Sequence, residues 1–204
     1  MHLPVTVHRA RLGPQEFTVI RPARPPERAL LVDDDRFLNA YVDQGAARLM
    51  GGLWSLAASS PRALVRLPLR RSGASREGGE RRLDLVLLHH SLQFAPSRRK
   101  ELRGRLGAGR RRSATVSTAQ PEIDYAALHH AENRDLFHQH VHAETLFVTG
   151  SAKAFRETAG LFHDVAAHGP GRGHTGDGHY CAQLRHGDDS ARVIHIEYRG
   201  AWDA

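Results

Sequence analysis

The sequence predicts an α+β protein, with a mixed α/β portion over residues 1–112 and a β-rich portion over residues 113–204, which can equally form one continuous domain. Three observations point there. Short apolar alternations of period two recur along the chain, as in half-buried strands. One long stretch, residues 35–58, repeats its apolar positions at three and four, as an amphipathic helix does. The balance of 40% hydrophobic and 25% charged residues is that of a globular chain, which excludes a wholly disordered, collagen-like or coiled-coil protein.

Taken in order, Leu3-Val5-Val7 and Phe17-Val19 suit two strands separated by a turn at Gly13-Pro14. Arg21 to Pro26 is Pro-rich and reads as an extended connector. The helix predicted over Asp35 to Ala58 carries Phe37, Leu38, Tyr41, Val42, Leu49, Met50, Leu53 and Trp54, with Asp33, Asp34 and Asp35 placed to cap it. Ala63 to Leu69 reads as a strand, and residues 70–82 as an exposed loop. Leu83 to Leu88 suits a buried strand, Ser97 to Leu106 a basic helix opened by Pro96, and Ala114 to Ser117 a strand; that order is compatible with a βαβ unit. Further on, Thr145 to Val148, Tyr180 to Leu184 and Val193 to Tyr198 read as strands, and Ala152 to Ala167 as a helix or a pair of short strands. No internal repeat is evident.

Charge is unevenly placed. Residues 1–60 carry a net +1, residues 61–115 a net +11 and residues 116–204 a net −5, which sum to the overall +7. The basic segment, residues 61–112, suits a small anionic substrate or the phosphates of a nucleic acid. It has only Phe94 as an aromatic, so a platform for stacking bases is not expected. No run approaches the ~18 to 20 apolar residues of a membrane span, and no signal-peptide pattern opens the chain. With Cys181 as the single cysteine, an internal disulfide is excluded and a cytoplasmic setting is expected. Cys181 itself reads as a buried thiol. A homodimer is compatible with all of this.

The histidines lie elsewhere: 11 of the 15 fall at or after His129, in the acidic part. The run from His129 to Glu144 contains the types that bind transition metals, neutral imidazole and carboxylate. On a strand, His138, His140 and His142 share a face. On a helix, Asp135, His138 and His142 do. His163, His168 and His186 sit in polar surroundings without a ligand-like partner. His89-His90-Ser91 reads as a strand end emerging into solvent, and Gly171 to Gly176 as a turn, because the strand-to-helix context of a phosphate-cradling glycine loop is missing.

The string His138-Gln-His140-Val-His-Ala-Glu144-Thr-Leu-Phe-Val148-Thr-Gly150 resembles the first motif of the cupins, in which two His and a Glu line a small metal-binding β-barrel. The turn Gly169 to His174 resembles the second, which adds a third His. The resemblance implies a cupin-like C-terminal portion with His138, His140, Glu144 and His174 as ligands of Fe, Mn, Ni or Zn. A weaker similarity is to the metal-binding domain of nickel-responsive regulators. The resulting expectation is a soluble metal-binding protein, with an open coordination position for oxygenase, isomerase or hydrolase chemistry. The alternative is a nucleic-acid-binding or metal-sensing module using residues 61–112.

Overall fold

Alternating burial builds most of the structure, a computed structural model that describes residues 1–70, 81–119, 121–128, 130, 132–172, 180–187 and 191–202. Strands β1 (His2–Leu12) and β2 (Gln15–Pro22) form a hairpin closed by Leu12 and Gln15. Its turn is the Gly13-Pro14 expected from the sequence, with a φ of 60° at Gly13, a backbone that glycine adopts at little cost. β1 buries its two faces in turn. Leu3 and Val5 enter the main core, whereas Ala10 and Leu12 enter a smaller one on the opposite side.

The helix expected over residues 35–58 begins later. β3 (Ala29–Asp34) and β4 (Phe37–Val42) form a second hairpin, with Asp34 opposite Phe37, and Asp35 occupies the tight turn with a φ of 44°. The apolar positions of residues 37–42 fit either period, and parallel pairing of β4 with the distant β12 (Ile194–Tyr198) decides for strand. Helix α1 (Gln44–Ser59) then starts at Asp43, whose carboxylate accepts the Ala46 N–H at 2.7 Å. The aspartates at 33–35 are not its cap.

The chain continues through β5 (Ala63–Leu67), the short β6 (Arg81–Arg82), β7 (Asp84–His89), a 3-10 turn at Pro96–Arg98, α2 (Arg99–Gly104) and β8 (Arg110–Thr115). It ends with α3 (Tyr125–Leu128), β9 (His138–His142), β10 (Thr145–Gly150), α4 (Ala152–Arg172) and β11 (Cys181–Leu184) before β12. The first sheet has the order β8-β1-β2-β5-β7-β10-β9 and the second the order β11-β12-β4-β3-β6. The class is therefore α+β, with mixed sheets. Both sheets draw strands from both sides of residue 112, and β9 to β12 divide between them instead of closing a barrel of their own. β7 and β8 lie apart in the first sheet, with β5, β2 and β1 between them, so β7, α2 and β8 are no βαβ unit.

The topology contains a duplication. Hairpin β3-β4, helix α1 and the pair β5-β7 are matched by hairpin β9-β10, helix α4 and the pair β11-β12, with the two sheets exchanged. In each sheet the two halves meet through one parallel pair, β7 with β10 and β12 with β4. An ungapped offset of 108 residues superposes turn Asp35 on Ala143 and helix cap Asp43 on Ser151, and 6 of the 30 pairs from 30/138 to 59/167 are identical. Ser151 caps α4 by accepting the Ala154 N–H at 3.1 Å, as Asp43 caps α1. With so few identities the repeat is not evident from the sequence alone.

The two helices pack on each other and share the main core with both sheets. Trp54 of α1 lies 4.5 Å from Phe162 and 6.5 Å from Phe155 of α4, centroid to centroid. Close approach depends on Gly51, where an added Cβ would stand 2.7 Å from the His163 ring. Among the described residues no helix is long and apolar enough to cross a membrane.

Candidate nucleic-acid interface

β8 is an edge strand of the first sheet, and its sequence begins with three arginines. Arg110, Arg111 and Arg112 are exposed, and among the described residues none has a carboxylate partner. Pairing with β1 sets Arg111 opposite Thr6 and Arg112 opposite Val5, so the side chains alternate along the rim, with Arg110 and Arg112 roughly 6.7 Å apart on one face. Further exposed basic residues are Lys100 and Arg103 of α2 and its C-cap, Arg105. Arg105 donates to the Arg11 carbonyl at 3.1 Å, tying the end of α2 to the β1-β2 hairpin. The nearby carboxylates are already engaged: Glu101 holds Arg98 and Arg105, each at 3.2 Å, and Glu16 holds Arg9 at 3.5 Å.

A second group of arginines is turned inward. Val86, Arg66 and Asp84 lie on the face of the first sheet away from the helices, where α2 covers a small apolar core that includes Leu64, Leu102 and Phe147. Asp84 Oδ2 accepts from Arg66 at 3.1 Å and from Arg99 at 2.9 Å, while Oδ1 accepts the N–H groups of Leu69 at 3.1 Å and Arg70 at 3.2 Å. This carboxylate anchors α2 to the sheet. Burial, with the repulsion of Arg66 and Arg103 outside the pull of Asp84, holds the Arg99 guanidinium below its usual range.

The histidines expected to bind metal take another arrangement. His138, His140 and His142 do alternate along a strand, β9, and share its outer face, with the His140 and His142 rings 6.1 Å apart. β9 is an edge strand, however, and His138 and His140 are exposed instead of facing a cavity. Inward from β9 point Gln139, which bonds the Arg192 backbone at 2.8 Å, and Val141. Glu144 does not join the histidines. It occupies the second corner of the β9-β10 turn, with φ of 43° at Ala143 and 58° at Glu144, the mirror-image turn suited to two-residue hairpins. Its carboxylate is taken by Arg70 at 2.5 Å. His174 and the Gly171–Gly176 turn beyond Arg172 lie outside the described residues. Among the described residues no three His, Cys, Asp or Glu side chains are grouped to hold a metal.

Two of the three histidines expected to lack partners, His186 and His168, have acidic neighbours. His186 is 3% exposed, and its Nε2 stands 3.2 Å from Glu157 Oε2, off the line of a good hydrogen bond. Burial pushes its pKa down against the opposing pull of Glu157. His168 and Tyr180 both bond Asp164, at 2.9 and 2.5 Å. His163 packs between the helices, its pKa lowered by burial and then by the N-terminal ammonium. Glu157 and Asp164 face an open cleft of about 360 Å³ beside Pro121 and Tyr125. The signal available in the sequence was the seven-residue spacing of Glu157 and Asp164, which sets both on one face of a helix; their histidine partners come from long-range packing. Cys181 is only partly buried, with its thiol pKa raised by burial and by Glu197. No family model, curated protein or solved structure matches this chain.

Proposed function

We propose that the chain is a nucleic-acid-binding module that grips the sugar-phosphate backbone through the β8 rim and α2. The observation that carries the reading is the row of exposed arginines Arg110, Arg111 and Arg112 on an edge strand, none of which has a carboxylate partner among the described residues. Arginine donors on a fixed strand meet phosphate oxygens in forked geometry and release counterions on binding. With Phe94 partly buried against Phe17, no aromatic of the basic segment is left to stack on bases, so recognition rests on backbone charge and duplexes serve as well as single strands. Binding to random-sequence duplexes that weakens steeply with salt, and that is lost in the Arg110→Gln, Arg111→Gln, Arg112→Gln triple variant, supports the reading. Equal binding by the variant removes it.

A second reading keeps a metal on β9 alone. It is favoured by the common face of His140 and His142, since a His-x-His pair on a strand can offer two nitrogens to one divalent Fe, Mn, Ni or Zn ion. Elemental analysis of untagged protein tests it: a stoichiometric metal lost in His140→Ala supports it, and under a tenth of an equivalent refutes it.

A further inference from the structure

We propose that β9 is a self-pairing edge, through which two copies of the chain join antiparallel about a two-fold axis at His140. The pairing of β9 with β10 decides which of its backbone groups are free. A two-residue turn closes the hairpin on His142 and Thr145, so His138, His140 and His142 exchange backbone bonds with β10. Gln139 and Val141 then turn their N–H and C=O groups away from β10. Phe137 has the same parity, and its N–H does bond on that outer side, to the His186 carbonyl at 2.7 Å. Among the described residues nothing bonds the outward groups of Gln139 and Val141.

The two edges of the first sheet are protected unequally. Charged side chains on an exposed edge keep it from pairing with another strand. β8 carries Arg110, Arg111 and Arg112, whereas β9 has no Lys, Arg, Asp or Glu. Its exposed side chains, His138 and His140, are imidazoles, a group that is mostly uncharged above about pH 7. Two copies of β8 would meet arginine against arginine, while two copies of β9 meet without that repulsion. Charge therefore selects β9 over β8 as the edge that accepts its own copy.

The ends of the open stretch set the register. Gly187 lies beside Phe137 in a parallel bridge and closes the stretch at one end, and the turn at Ala143 and Glu144 closes it at the other. Residues 138 to 142 remain, with His140 at the midpoint. A two-fold axis there sets Gln139 opposite the second copy's Val141, so every outward N–H and C=O of the stretch is paired. His140 meets its own copy in the close, non-hydrogen-bonded position, with Cβ atoms roughly 4.5 to 5.5 Å apart. The same surface is used on both copies, as a two-fold dimer requires. One short strand from each copy makes a small interface of the weak class. Both β8 rims stay exposed at the far ends of the joined sheet, so the pairing does not depend on nucleic-acid binding.

Sedimentation equilibrium of the untagged full chain, run in chelator at about pH 8 and from micromolar to near-millimolar concentration, tests the pairing. A monomer–dimer equilibrium is expected. His140→Lys sets two ammonium groups directly opposite each other and weakens the dimer at least about tenfold. Val141→Pro removes an outward N–H from each copy while sparing the bonds to β10, and weakens the dimer as much. His140 is exposed, so His140→Lys carries the test alone if Val141→Pro does not fold. The Arg110→Gln, Arg111→Gln, Arg112→Gln variant dimerises as the wild type does. A monomer at every concentration overturns the proposal, as does a dimer untouched by His140→Lys or one weakened by the β8 variant. A dimer that forms only when zinc replaces the chelator also overturns it, and leaves the metal reading of β9 standing.

Discussion

Arg110 to Arg112 and the pair Arg66 and Arg99 come from one basic segment and use the same side chain in opposite ways. The first group stands on a sheet rim with no carboxylate partner among the described residues, whereas the second is buried around Asp84 and fastens a helix to the sheet. The difference teaches that a net charge of +11 over residues 61–115 is no measure of binding surface. What matters is which arginines the topology leaves unpaired, and β8 is left so because it sits at the end of a sheet order that buries β5 and β7 in the middle.

The contrast can be broken most forcefully at Asp84. Asp84→Ala strands two buried guanidinium groups and should cost about 3–5 kcal/mol in urea unfolding, or prevent folding; a loss under about 1 kcal/mol would make the inward pair no different from surface charge. At the rim the pattern reverses. The Arg110, Arg111, Arg112 glutamine triple should leave stability within about 0.5 kcal/mol while lowering the salt slope of duplex binding by about 2 to 3.

Acid sharpens the same distinction for histidine. Burial lowers the pKa of His163, so proton uptake favours the unfolded chain. Stability is complete above the unfolded value of about 6.5 and falls as pH drops below it. His163→Gln should flatten that decline in unfolding curves measured on both sides of the window, and an unchanged slope would place the titration elsewhere. A smaller change is expected at Thr145, whose buried hydroxyl has no partner among the described residues: Thr145→Val should leave the protein equally stable or slightly more so. Smallest of all, His138→Ala with His140→Ala should alter Tm negligibly, because both side chains are exposed on β9.

Much of the architecture was legible because period-two burial is local. The strands at Leu3 to Val7, Ala63 to Leu67, Leu83 to Leu88 and Ile194 to Tyr198 could be read from alternation or short apolar runs. β4 was hidden inside a helical pattern, since Phe37, Leu38, Tyr41 and Val42 satisfy both periods and only pairing with β12 separates them. The site was less legible. His138, His140 and His142 do share a strand face, but the sequence carries no signal that β9 is an edge or that Glu144 turns the corner to Arg70. Residues 110–112 precede the strand predicted at Ala114 to Ser117, and their place on the rim depends on pairing with β1, which is more than a hundred residues away in sequence.

On the proposed function, Arg110, Arg111 and Arg112 of the β8 rim hold a phosphate backbone. The most direct test is the affinity for a random-sequence duplex measured across salt concentration, in the wild-type chain and in the Arg110→Gln, Arg111→Gln, Arg112→Gln variant. The expected log–log slope is about −3 or steeper for the wild type, shallower by at least about 2 in the variant. Equal slopes in the two proteins, or no binding even at low salt, would contradict it.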